Sequence, residues 1–170
     1  MSAFTVVTAN TACARFFILQ EAAVPETESS PKLVEQYSII NPTGEKSETK
    51  RLGAPTSGRN RAPSGGSYPF DDHRGKHQIE TLRRFVKLVV ADAIKLARRQ
   101  DAGNSLVLAA EKRLLGIIRE ELHAIKTNGL VIQECDRDMV GESPMKIHEL
   151  LARRGLVPKM RKPSQRVRKA

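Results

Sequence analysis

The chain has 170 residues, a hydrophobic fraction of 39%, aromatics at 4% with no Trp, and a formal net charge of +10. That length accommodates one α/β domain with loose segments, and the shortage of aromatics leaves little from which to build a base-stacking platform. No stretch approaches the roughly 20 apolar residues of a membrane-spanning helix. Met1 to Val7 also lacks the positive region of a secretion signal, so a cytoplasmic location is expected.

Phe4 to Thr8 is rich in β-branched and aromatic residues and predicts a first strand. Asn10 and Thr11 suit a turn, and Cys13 to Leu19 predicts the return strand of a hairpin. Cys13 and Cys135 are the only cysteines, without metal-ligand spacing, which suits a reducing compartment. Cys13, on a predicted strand, is expected to be a buried, inert thiol. After a polar connection through Pro25 to Pro31, Lys32 to Ile40 predicts a third strand, closed by Asn41-Pro42. Three strands in succession with short links favour an antiparallel meander.

Thr43 to Gly75 is rich in Gly, Ser, Pro and basic residues and has no hydrophobic period. It predicts a long flexible loop inside the domain. Ser57 to Arg61 and Ser64 to Ser67 could offer backbone N–H groups and the guanidinium forks of Arg59 and Arg61 to an anion. The strand and helix context of a P-loop is missing, and plain linker is the other reading.

From Ile79 the apolar residues Leu82, Phe85, Val86, Val89, Ala93 and Leu96 recur at steps of three and four, with Arg84, Lys87, Lys95 and Arg98 opposite. This predicts one amphipathic helix of about six to seven turns, with Asp71 and Asp72 ahead of its positive end. Ser105 to Ala110 is an uncharged run without alternation, the pattern of a strand covered on both faces of a parallel sheet. Glu111 opens a second helix with the stripe Leu114, Leu115, Ile117, Ile118, Leu122 and Ile125, expected to end at Asn128-Gly129. Leu130 to Ile132 predicts another short buried strand. Asp136 and Asp138 beyond it lie where open α/β sheets bind ligands, but Arg137 between them and the lack of a nearby His make solvated charges the expected role. Ser143-Pro144 caps a short last helix with the stripe Met145, Ile147, Leu150 and Leu151, ended at Gly155. His73, His77, His123 and His148 have no partner at ligand spacing, so surface or helix-end roles are expected. Helix, strand, helix, strand after the meander implies right-handed crossovers in an α/β domain over residues 3–156.

Eight Lys/Arg and no acid lie between Arg153 and Ala170, so subtracting those eight charges from +10 leaves about +2 for the remainder. Residues 157–170 are expected to form a disordered basic tail in which Lys159, Arg161, Lys162, Arg166, Arg168 and Lys169 either solubilise the chain or contact an anionic partner such as RNA or the ribosome.

The ordered succession of features over roughly Ala3 to Leu156 resembles the bacterial host-attachment proteins. The matching residues are Val7 to Asn10, then Ala12 to Phe17 with Arg15, and Asn41-Pro42. Gly58, Arg59 and Ser64 follow, then Asp72, His77, Glu80 and Phe85 at the helix start. Leu106 to Ala110, Gly116 with Arg119, and the acidic strand end Glu134 to Asp138 complete the series. The family also looks similar to the central domain of archaeal- and eukaryotic-type peptide-chain release factors. The resemblance implies a ribonuclease-H-like fold: a mixed five-stranded sheet of three antiparallel strands followed by two parallel ones, matching the α-β-α-β-α order read above. Where those factors carry Gly-Gly-Gln, this chain has Gly65-Gly66-Ser67, which argues against peptidyl-tRNA hydrolysis.

The expected function is that of a non-enzymatic, intracellular interaction or regulatory domain affecting attachment, contacting RNA or the ribosome through its loop and tail, with no cofactor and no metal. The alternative is a ribonuclease-H-like or release-factor-like hydrolase acting on RNA or peptidyl-tRNA. Two-metal hydrolysis needs clustered carboxylates, and Phe4 to Asn10 contains none.

Overall fold

The computed structural model describes residues 4–24, 27–42, 72–99, 104–127 and 129–163, and the side chains of these except residues 72–76. Among the described residues five strands and three helices follow in the order β1 (Phe4–Ala9), β2 (Cys13–Gln20), β3 (Lys32–Ile40), α1 (Asp72–Arg98), β4 (Ser105–Ala110), α2 (Lys112–Ala124), β5 (Val131–Asp136) and α3 (Pro144–Arg153). The expected loop over 43–75 lies outside the described residues except where α1 begins within it.

The sheet order is β3-β2-β1-β4-β5. This differs from a meander laid down in chain order, because β1 is central and β4 adds to its free edge. β1 with β2, and β2 with β3, are antiparallel; β1 with β4, and β4 with β5, are parallel. The result is an α/β fold on a mixed five-stranded sheet.

Two cores lie on opposite faces of this sheet, and β4 feeds both. Leu106, Leu108 and Ala110 pack with Phe85, Val89 and Ala93 of α1 and Leu114, Leu115 and Ile118 of α2. Val107 and Ala109 face the other way, onto Ile147 and Leu151 of α3 with Met139 and Val157. Alternate residues of a strand point to opposite faces, so a run apolar at every position belongs where both faces are covered. Val107 has no exposed surface, as that run requires. Each such Leu or Val contributes about 1.5–3 kcal/mol of burial.

Several boundaries and burials differ from the sequence expectation. α1 starts at Asp72, which is its first residue rather than a flanking acid, and Ile79 is exposed, so the packed stripe begins at Leu82. α2 stops at Ala124, with Ile125 at its C-cap and in contact with solvent. Gly129, in the left-handed region at φ 81°, instead shapes the turn into β5. β5 is not a buried strand but the sheet's edge, half-covered, with Val131 58% exposed. Met145 stands in solvent while Ile147 and Leu151 of the same stripe are buried. Cys13 is half-buried, and the buried thiol is Cys135.

α3 is delimited as its sequence dictates. The Ser143 hydroxyl accepts from the Lys146 N–H at 3.3 Å with Pro144 in the first turn. Past its end, Gly155 takes φ 72° and the Leu156 N–H donates to the Leu151 carbonyl at 3.0 Å, a Schellman closure. The chain then stays on the body where a disordered tail was expected to start. Val157 is buried. Arg161 pairs with Ser30 as an antiparallel bridge, N–H to carbonyl at 2.7 Å one way and 3.0 Å the other. Residues 164–170, with Arg166, Arg168 and Lys169, lie outside the described residues.

Candidate functional site

Parallel strands of an open sheet place their following loops at one end, where ligands of α/β folds collect. Here those loops follow β1, β4 and β5 and bring together Asn10, Asp138 and, from β2, Arg15. Asn10 fixes its own turn: its Oδ1 accepts from the N–H groups of Ala12 and Cys13, both at 2.9 Å, and its Nδ2 reaches Asp138 at 3.4 Å. Asp138 in turn accepts from the Val140 N–H at 2.9 Å. Asn41 closes the same corner, donating from Nδ2 to the Thr11 carbonyl at 2.8 Å and from its backbone to Ala12 at 2.7 Å.

Arg15 is the hub. Its Nε and Nη2 hold the Glu35 carboxylate at 2.9 and 2.6 Å. Its Nη1 donates to the carbonyls of Val140 and Glu142 at 2.7 and 2.8 Å, and the guanidinium lies 5.0 Å from the Phe17 ring centroid. A planar fork with five donors can serve a carboxylate and two carbonyls at once. The hydrogen bond from Arg15 holds the Glu35 carboxyl below its ordinary value. Beside Arg15 in the register, Thr8 is fully buried between β2 and β4, and its hydroxyl has no hydrogen-bond partner among the described residues.

Chemically this end of the sheet is tied shut. Burial, the largest influence on each, pushes both cysteine thiols up, so neither is poised as a thiolate. Asp136 and Asp138 are exposed, and among the described residues no three His, Cys, Asp or Glu are placed to share a metal ion.

The remaining residues singled out in the sequence are dispersed. His77 lies exposed on α1 and Asp72 is its first residue. Gly116 and Arg119 are on α2, where Arg119 clasps Glu134 of β5, Nε to Oε2 at 2.8 Å. Lys159, Arg161 and Lys162 are exposed on the segment after α3, while Gly58, Arg59, Arg61 and Ser64 lie outside the described residues. His148 departs from its expected surface role: it is 1% exposed, with Nε2 2.8 Å from the Pro158 carbonyl. Its position beside Ile147 and Leu151, on the packed side of α3, was the available signal. Glu35 and the carbonyls that Arg15 holds carried none, because they are remote in sequence.

Of the described residues, no helix is long and apolar enough to cross a membrane. The model of a protein family described as "Protein required for attachment to host cells" matches residues 5–151. No curated protein matches the chain.

Proposed function

The chain belongs to the family of proteins required for attachment to host cells, and from that premise we propose that it is a non-enzymatic interaction domain, acting in the cytoplasm and contacting RNA or the ribosome through exposed cations. The observation that carries this reading is the commitment of Asn10, Arg15 and Asp138 to fixing backbone at the end of the sheet where a substrate would bind. Lysines on two surfaces are, by contrast, unspent. Lys87 and Lys95 on α1 and Lys159 and Lys162 after α3 are exposed and form no ion pair among the described residues. Such cations gain affinity for phosphate by releasing counterions. Arg59, Arg61, Arg166, Arg168 and Lys169 add charge to the same reading from the loop and tail.

The strand order, with two strands in antiparallel pairing on one side of β1 and two in parallel pairing on the other, supports a ribonuclease-H-like reading of the fold. A hydrolase of that kind needs clustered carboxylates, and β1 carries none, with Thr8 near its end and Asn10 just past it.

Recovering the full chain from cells at low and at moderate salt tests the reading. RNA or ribosomes should accompany it at low salt and leave steeply as salt rises. Their absence at low salt, or retention independent of salt, overturns it. The role of the tail is isolated by deleting residues 164–170, not everything from Arg153, because Val157 and Arg161 belong to the folded body.

A further inference from the structure

Met145 is 69% exposed at the first turn of α3, and Met160 is 36% exposed on the segment that returns past the same helix. Between and beside them run two adjoining concavities. One, of about 360 Å³, lies between Leu33 at the start of β3, Pro144 and Met145; the other, of about 250 Å³, lies between Ala152, Arg153 and Lys159. Met160 and His148 line both, so they form one groove along α3. Its surface is mostly apolar, and the sheet's two cores do not account for Met145. Unbranched thioether chains at an exposed groove are suited to repacking around an incoming side chain.

The rim has one sign of charge to spare. Lys32, Arg153 and Lys159 stand around the groove, and the one carboxylate lining it among the described residues, Glu149, is already held by Lys146 and Arg153. Lys32 pairs with Glu28 in solvent at 3.3 Å, and Lys159 has no ion-pair partner among the described residues. An occupant must therefore supply both large apolar side chains and carboxylates. A nucleic acid would satisfy the cations but leave Leu33, Pro144 and Met145 facing ribose and water. From Met145 to Arg153 the wall rises about 12 Å, the length of two helical turns.

We propose that this groove docks an acidic segment of a partner protein, about two helical turns long, that inserts apolar side chains against Met145 and Met160 and sets carboxylates against Lys159 and Lys32. Of the described cations invoked above for RNA, only Lys159 lines this groove, and peptide binding is read without RNA, so either can fail without the other.

A random peptide library panned on the full chain at physiological salt, and counter-selected on the M145E/K159E double variant, provides the test. Both altered residues are exposed, and a matching thermal melt shows that the variant folds. The enriched peptides should be net acidic with two or more large apolar residues, and the double substitution should weaken them at least about tenfold. With methyl-labelled methionine, the Met145 and Met160 signals should move on peptide addition and that of Met139, which is fully buried, should stay. Peptides that are neutral or basic, or that bind the variant equally, overturn the proposal. So does movement of the same signals by an RNA oligonucleotide, which assigns the groove to nucleic acid, or by raising protein concentration alone, which assigns it to a second copy.

Discussion

Arg15 of β2 reaches diagonally to Glu35 of β3 in a two-pronged pair, at 2.9 and 2.6 Å, while the third arm of the same guanidinium holds the loop between β5 and α3. One side chain thereby joins the first and last thirds of the chain. Arg15→Ala should cost about 2–3 kcal/mol, because it strands a carboxylate and two carbonyls together. Arg15→Lys should recover only part of this, since an ammonium cannot fork. Urea unfolding of the two variants beside the parent measures both.

The same pair predicts an acid dependence. Glu35 has its pKa lowered in the folded state, first by the hydrogen bond from Arg15. A depressed carboxyl contributes stability above its unfolded value of roughly 4.3 and loses it as pH falls through the folded one. Glu35→Gln should therefore be the less stable protein at pH 7, by about 1 kcal/mol or less for so accessible a pair. The gap should narrow as pH falls below that unfolded value. A gap that persists unchanged at pH 3 would show that the charge is not its source.

Thr8 supplies a prediction in the stabilising direction. Its buried hydroxyl is unpartnered, and replacing an unsatisfied polar atom by an apolar one of similar shape removes a desolvation cost. Thr8→Val should raise stability by about 1–2 kcal/mol, read as a higher denaturant midpoint with unchanged slope. A loss of stability would mean that the hydroxyl is engaged.

Gly116 sits inside α2, and a Cβ built on it meets nothing within 4 Å among the described residues. Gly116→Ala should stabilise the fold by about 0.5–1 kcal/mol through helix propensity alone. If that variant also loses attachment function in cells, the bare surface at Gly116 is a contact and not a folding requirement.

His148 anchors the segment after α3. A carbonyl only accepts, so the ring nitrogen 2.8 Å from Pro158 carries a proton and donates it. His148→Ala should cost about 2–3 kcal/mol from the cavity and the lost bond. Hydrogen exchange at the Arg161 amide, which donates to Ser30 at 2.7 Å, should accelerate beyond the global change. Uniform acceleration would show that His148 serves the core and not the strap.

What the sequence discloses follows from how local the determining physics is. The uninterrupted run around Val107 announced a doubly covered strand because its burial depends only on its own residues, and Ser143-Pro144 announced the start of α3 for the same reason. Leu130 to Ile132 looked equally buried, yet β5 is an edge; that depends on what lies beside it, which no local pattern encodes. Asn128-Gly129 drew the expected end of α2 too far, because Gly129 serves the turn into β5. The bridge from Ser30 to Arg161 rests on one residue pair 131 positions apart and has no periodic trace. In the candidate site, Asn10 and Arg15 stood out through the family resemblance, but the tethers they form became visible only with the loop from Asp138 to Glu142 in place.

The core on the α3 side draws Val6, Phe17, Leu19 and Leu33 from the beginning of the chain and Met139, Ile147, Leu151 and Val157 from near its end. During synthesis the first hairpin must therefore wait, one greasy flank bare, until the chain through Val157 has left the exit tunnel. A nascent chain of this kind is at its most vulnerable to sticking late in translation. A chain arrested before Val157 has emerged should yield aggregates or chaperone-bound material, where the released full chain should yield a folded body.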